Sequence, residues 1–269
     1  MRISIEHKTR YRYAADASYS IQKLRLTPSA FDGQTVGDWR VDCRPGCRLR
    51  QSRDGFANTT HLLIINGAHR EIEITAGGTV ETEDKHGVVQ GLPETVPPRV
   101  YRRRTPLTEP GEEIEALAAG IPRGKTIPWL HALMQAIHDK VEYLTGETTV
   151  ETTAVEALKA GKGVCQDHAH IFIAAARAVA LPARYVTGYL LTDDTSPAVA
   201  HHAWAEVWVD PLGWIGFDVA NRVCPTDHYI RLSAALDAHD AAPVRGSRRG
   251  GGGETLQVEV VVQRSSGKQ

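Results

Sequence analysis

The chain has 269 residues, 42% of them hydrophobic, with 31 basic and 32 acidic side chains and a net charge of −1. That length holds one large or two modest domains and can bury a substantial core. The near-neutral balance excludes a strong general field for nucleic acid or an anionic membrane. No apolar run approaches the ~20 residues needed to span a bilayer. The charged, alternating start MRISIEHKTRYRY lacks the apolar centre of a secretory signal, so a cytoplasmic protein is expected. Four cysteines are too few for a disulfide framework. Cys43, Cys47 and Cys224 read as buried or incidental thiols, and Cys43-x-x-x-Cys47 as no more than half of a zinc site.

Residues 1–90 read as an antiparallel β-rich domain. Ile3, Ile5, Tyr11 and Tyr13 share one parity, with Ser4, Glu6, Lys8, Arg10 and Arg12 on the other, the period of a half-buried strand. Similar runs are SIQKLRLTP, DWRVDC, NTTHLLIIN and REIEITA. Turn signals separate them, and Asn66-Gly67 between apolar runs predicts a hairpin. Residues 91–111 hold five prolines without periodicity and read as a linker. Arg102-Arg103-Arg104 inside it reads as a solvated run.

Helical patterning begins at 112 and opens a second region, 112–245. Glu112–Ala119 is a short helix. Trp129–Tyr143 carries Leu130, Leu133, Met134, Ile137 and Val141 as an amphipathic stripe. Thr153 stands three residues before Glu156, a capping-box spacing that starts a third helix. Ala169–Val179 is apolar nearly all round, which marks a buried helix. Strands are expected at Arg184–Leu191, His201–Val209 and Trp214–Val219. Residues 246–269 form a Gly-rich connector and a last alternating strand that could return to the first sheet. The fold class is therefore α+β: an N-terminal antiparallel β domain, then helices and an antiparallel sheet.

The chemistry concentrates in Gly161-Lys-Gly-Val-Cys165-Gln-Asp-His-Ala-His170. Glycines break the chain, and Cys165 falls at a helix start, where free N–H groups and the helix dipole favour a thiolate. A cysteine nucleophile needs a base, and the base needs an orienting group. In the strand 201–209, His202, Trp204, Glu206 and Trp208 share one face. A turn centred on Asp210 sets His202 directly opposite Asp218, with Cβ atoms about 4.5–5.5 Å apart. A loop at 211–213 instead sets Asp218 against Glu206, an unfavourable pair.

The segments GKGVCQDHAHIFIAAARAVALPARYVTGYL, HHAWAEVWV and GWIGFDVAN, in this order, resemble the bacterial transglutaminase-like branch of the papain-like cysteine superfamily. Residues 1–85 resemble the β-rich region that precedes this core in bacteria. The resemblance implies a papain-like, transglutaminase-like core with a catalytic Cys165, His202 as base and Asp218 as orienter. Asp218-Val-Ala stands where related sequences often read Asp-Pro-Thr, which leaves the acid in place and alters the turn after it.

These residues describe thiol-dependent acyl transfer: attack on an amide carbonyl, a thioester, and release to water or to an amine. The backbone N–H of Cys165 is the expected oxyanion donor, with the second unassigned. Hydrolysis by a cysteine peptidase or amidase is the expected outcome, with protein-glutamine γ-glutamyl transfer as the alternative. Weaker alternatives are a non-catalytic peptide-binding module and a zinc site built from Cys165, His168 and His202. His168 and His170 otherwise read as packed side chains. No cofactor and no metal are expected. The expected partner is a peptide or protein substrate, with no nucleic acid or membrane, and the N-terminal domain could support a homo-oligomer.

Overall fold

The computed structural model describes residues 1–46, 49–192 and 201–265. The first region contributes strands β1 (Arg2–Thr27), β2 (Gln34–Arg44), β3 (Arg50–Arg53), β4 (Thr59–Thr82) and β5 (Val88–Val89). Helices α1 (Gly111–Gly120) and α2 (Thr126–His138), strand β6 (Glu142–Tyr143), α3 (Ala154–Ala160), β7 (Lys162–Gly163) and α4 (Cys165–Ala178) follow. Then come β8 (Ala183–Leu190), β9 (His201–Val209), β10 (Gly213–Phe217), β11 (Tyr229–Ala235), α5 (Ala238–Ala241), β12 (Val244–Gly250) and β13 (Glu254–Arg264). Among the described residues no helix is long and apolar enough to cross a membrane.

Two long strands organise the first sheet. β1 and β4 pair antiparallel from Arg2↔Glu81 to Thr27↔Thr59. The free edge of β1 takes β13 along Ile3–Tyr13 and β12 along Ala17–Leu24. The edge of β4 takes β2 and then β3. The C-terminal strands thus complete the N-terminal sheet. The hairpin expected at Asn66-Gly67 is absent. β4 runs straight through these residues, and β1 shifts register at the same level, between Ala17 and Tyr19. The turn signal marks a bulge that bends two paired strands together, so two short apolar runs form one long strand.

The second sheet has the order β11-β8-β9-β10-β5. The odd residues of β9, Ala203, Ala205, Val207 and Val209, pack with Phe217 and the apolar side chains of α4 in the main core. Helix α4 is buried from Asp167 to Arg177. Helix α2 ends at His138, earlier than its apolar stripe. Val141 at the end of that stripe is still buried, reached by the turn that follows the helix.

The proline-rich segment 91–111 is packed rather than a free spacer. Tyr101 and Thr108 are fully buried, and Glu94 accepts hydrogen bonds from Arg184 Nη1 (3.1 Å) and Trp214 Nε1 (2.9 Å). Periodicity could not show this, because such a strap is held by single anchors. Cys43 also departs from expectation: it is disulfide-bonded, whereas Cys165 and Cys224 are free. Cys47 lies outside the described residues.

The even face of β9 buries charge. Glu206 has no exposure and lies between two guanidinium groups, Arg184 Nε at 2.6 Å and Arg231 Nε at 2.9 Å. Burial would raise the Glu206 pKa, but the two arginines outweigh it and hold the group below its ordinary value. Removing one member of such a cluster leaves its partners uncompensated. Glu206→Ala is expected to destabilise the fold by about 3–5 kcal/mol, read from urea midpoints.

The two regions meet through an apolar contact and a histidine contact. The first sheet packs against Tyr189 of β8, Leu191 just beyond it, and Ile230 and Leu232 in β11. His7 of β1 lies 2.9 Å from the Tyr189 hydroxyl and 3.0 Å from that of Thr9. Burial, with neighbouring His201 adding to it, pushes the His7 pKa down to about 3. A base with a depressed folded pKa contributes stability that is present above its unfolded value near 6.5 and lost as pH falls toward 3. Stability is expected to fall through this window by up to about 1.4 kcal/mol per pH unit from His7 alone. In His7→Gln the same series of urea midpoints between pH 7 and 4 is expected to be shallower.

Candidate active site

Cys165 is the first residue of α4, with Val164 as the N-cap. Asp167, at the third helical position, accepts the Val164 N–H at 2.8 Å and the Thr148 hydroxyl at 2.7 Å through one oxygen. This closes the first turn and fixes the cysteine at the end of a buried helix. His168, one turn on, lies against two backbone carbonyls, Val164 O at 2.9 Å and Val141 O at 3.0 Å. Both of its ring nitrogens are engaged with the chain. His170 accepts the Ala238 N–H at 3.1 Å, and burial pushes its pKa down to about 3. Among the described residues no group of three or more His, Cys, Asp or Glu side chains is placed to hold a metal ion.

His202 brings the cysteine and the acid together. Its Nε2 is 2.7 Å from Asp218 Oδ2, and its ring also hydrogen-bonds Cys165. With Nε2 turned to the carboxylate, Nδ1 is the nitrogen left for the thiol. Burial disfavours charge on His202, but the hydrogen bonds and charges of Asp218 and Cys165 outweigh it and push its pKa up to about 10. His201 points away. Its Nε2 lies 2.9 Å from the Thr187 hydroxyl, and burial plus the adjacent His202 push its pKa down to about 4.

The pairing of β9 with β10 differs from the expected register by two residues. The turn is Asp210–Leu212, closed by Leu212 N–H to Val209 O at 2.8 Å, and Gly213 pairs with Val209. Gly213 has φ +89°, a conformation available to glycine, which lets it begin the strand rather than extend the loop. Glu206 therefore opposes Gly216, and the ladder ends at Ala205↔Phe217. A shift of two preserves the face of every side chain. Asp218 still lies on the His202 side and is reached diagonally rather than directly across.

Asp218 has no exposure. Its Oδ2 also accepts from Asn221 Nδ2 and the Tyr229 hydroxyl, each at 2.7 Å, and its Oδ1 accepts the Asn221 N–H at 3.2 Å. Burial alone would raise its pKa, but His202, Asn221 and Tyr229 outweigh it and lower the value. Trp204 stacks beside His202 with ring centroids 6.4 Å apart and planes at 28°. Gly188 makes room for it: a Cβ there would lie 2.6 Å from the Trp204 ring.

Sequence reasoning missed Tyr229, Asn221 and Tyr143. Tyr143 hydrogen-bonds both the thiol and the backbone of Cys165 and stacks on His168, with centroids 6.1 Å apart. Strand β6 places it there, since Tyr143 pairs with Gly163, two residues before the cysteine. A two-residue strand leaves no periodic signal. Asn221 sits only three residues beyond Asp218, so a search for a partner of the buried acid could have found it.

Comparison with known proteins agrees with this architecture. Residues 115–219 match the family model of the transglutaminase-like superfamily, and residues 3–81 match the bacterial transglutaminase-like N-terminal region. The uncharacterized protein ML0607 of Mycobacterium leprae is 30% identical over 279 residues, covering 98% of this chain and 99% of its own. The uncharacterized protein Mb2599c of Mycobacterium bovis is 30% identical over 275 residues, covering 91% and 87%. A solved structure of a candidate cysteine protease from Cytophaga hutchinsonii has a TM-score of 0.77 at 20% identity, covering 100% of this chain and 92% of that one. At that identity the likeness is one of fold. With both family regions present in order and relatives matched along nearly their whole length, the chain belongs to the transglutaminase-like superfamily, in the bacterial form that carries the transglutaminase-like N-terminal region.

Proposed function

We propose that the protein is a cysteine peptidase or amidase that cleaves amide bonds through a thioester on Cys165. The observation that carries this reading is the position of His202, bonded at once to Asp218 and to the thiol at the start of a buried helix. His202 takes the thiol proton, giving a thiolate–imidazolium pair. The thiolate attacks the amide carbonyl. The Cys165 N–H receives the developing oxyanion, and Tyr143, which now hydrogen-bonds that backbone, gives way to it. The tetrahedral intermediate collapses to a thioester as His202 protonates the leaving amine. His202 then deprotonates a water molecule that attacks the thioester and frees the acid. Asp218 holds the ring in one tautomer and offsets its charge throughout.

Water is favoured over an amine as the second acceptor by the openness of the thiol. Cys165 is partly exposed, and Tyr143 beside it is 50% exposed. A transferase has to shield its thioester from water and hold an amine against it. Incubation with a peptide library, with and without a labelled primary amine, separates the outcomes by mass spectrometry. Cleavage or deamidation that is indifferent to the amine and lost in Cys165→Ser is expected. Amine incorporation that outruns hydrolysis would assign transfer instead.

The role of His202 is tested apart from any substrate. Cys165 is expected to react with iodoacetamide much faster than Cys224, whose thiol is pushed up by burial. His202→Ala should abolish this advantage at neutral pH, and His201→Ala should keep most of it. Peptide mapping after brief labelling reads both, and the reverse ranking would reassign the base.

A further inference from the structure

A cavity of about 470 Å³ opens next to the nucleophile, with Gln166, the residue after Cys165, in its wall. Its volume falls within the roughly 300–1,000 Å³ of built ligand pockets. Helix α5 and the residues leading into β12 supply Ala238, Ala242, Pro243 and Val244 to the lining, and the loop before α3 supplies Val150. Val150 is 65% exposed, the largest exposure of any large apolar side chain among the described residues. Whatever covers it removes apolar surface from water, which is favourable.

The polar side chains of the lining are already answered within the protein. Gln166 Nε2 donates to the Val150 carbonyl at 3.3 Å, and the Thr187 hydroxyl lies 2.9 Å from His201 Nε2. Glu151 is held by His239 at 3.1 Å, and Arg245 reaches Asp240 at 3.8 Å. Tyr185 is the remaining polar member of the lining. Burial, and then the negative charges of Cys165, Asp167 and Asp237, hold its pKa well above the ordinary value. Those same charges repel an incoming carboxylate. Neither aspartate is among the described lining residues, so an incoming ammonium finds no free carboxylate there either. A charged side chain would shed its water in this cavity without gaining a partner, which is unfavourable. An apolar side chain loses nothing by entering and covers the five apolar residues of the wall.

We propose that this cavity is a substrate subsite for a large apolar side chain, carried on the acyl side of the attacked amide. The inference rests on Cys165 as the nucleophile and names the substrate class for that same thiol. The leaving amine departs toward His202, which protonates it. The acyl half of the substrate therefore lies on the Cys165 side, where Gln166 joins the site to the cavity. Peptides with a large apolar residue at this place are preferred over those with alanine, glutamate or lysine. Because the contact is apolar, the preference is not screened away as salt rises.

The test uses peptidyl chloromethyl ketones that differ only in one of the two residues nearest the ketone, set to Phe, Ala, Glu or Lys, with the rate of Cys165 alkylation as readout. This needs no turnover. At one of these places the Phe reagent is expected to react about tenfold or more faster than its Ala counterpart, the scale of a filled apolar pocket. The Glu and Lys reagents should be no faster than Ala, and the ratio of Phe to Ala should hold from low to high salt. Ala242→Phe, which fills the cavity, should bring that ratio toward one while iodoacetamide labelling of Cys165 is kept, which shows that the site still folds. Val150→Asp, at an exposed position, should lower the same ratio. Equal rates for Phe and Ala, a faster Glu or Lys reagent, or a Phe preference that both variants leave intact would overturn the subsite and leave the nucleophile standing, provided that iodoacetamide labels Cys165 rapidly. A Cys165 that reacts slowly with every reagent would overturn the nucleophile itself, and the subsite with it.

Discussion

A carboxylate with no exposure to water has to be answered by hydrogen bonds and opposite charge, and Asp218 imposes that requirement on this fold. Three donors converge on its Oδ2, from His202, Asn221 and Tyr229. Each comes from a different stretch of chain: β9, the turn after β10, and β11. The acid therefore ties strand pairing, turn geometry and the imidazole into one unit. His202 cannot rotate freely without uncovering a buried charge. Its orientation toward Cys165 is a consequence of how the acid is satisfied.

The first sheet contributes to the same rigidity from outside the core. β1 and β4 span its whole length, and the C-terminal strands β12 and β13 close one edge. Its apolar face rests on β8 and β11, the strands that carry Gly188 and Tyr229. β8 lies beside β9, so it sets where His202 sits, and β11 supplies a donor to Asp218. The N-terminal region thus supports the strands that frame the site, and none of its described residues places a side chain among Cys165, His202 and Asp218.

Period-two patterning carried most of what could be read in advance. It separated His202 from His201 and placed Asp218 on the same face, because parity survives a register shift of two. It did not fix the register itself, which depended on Gly213 beginning a strand instead of ending a loop. It also divided one long strand at Asn66-Gly67, where a bulge and a hairpin share the same local residues. The apolar pattern of α4 covers only residues 169–179, since Gln166, Asp167 and His168 are polar; its start at Cys165 was legible instead from the glycines that break the chain before it. Tyr143 and Tyr229 were illegible for a different reason. Their contacts join distant segments, and no spacing in the sequence encodes them.

The face of β9 that bears the site would be a poor place for charge if its groups were not neutralised in separate clusters. Glu206 meets Arg184 and Arg231, and Arg184 turns one nitrogen to Glu94. Two acids and two bases close that cluster on itself. Asp218 and His202 close the other. Trp204 stands between them on the same face, packed against Tyr229 at 5.6 Å. Two neutral clusters separated by an aromatic wall interact far less than the same six charges would if loose in a buried sheet. The field at His202 is then governed by its own carboxylate and by the thiol, which is the condition for a proton to be shared between those groups rather than spread along the strand.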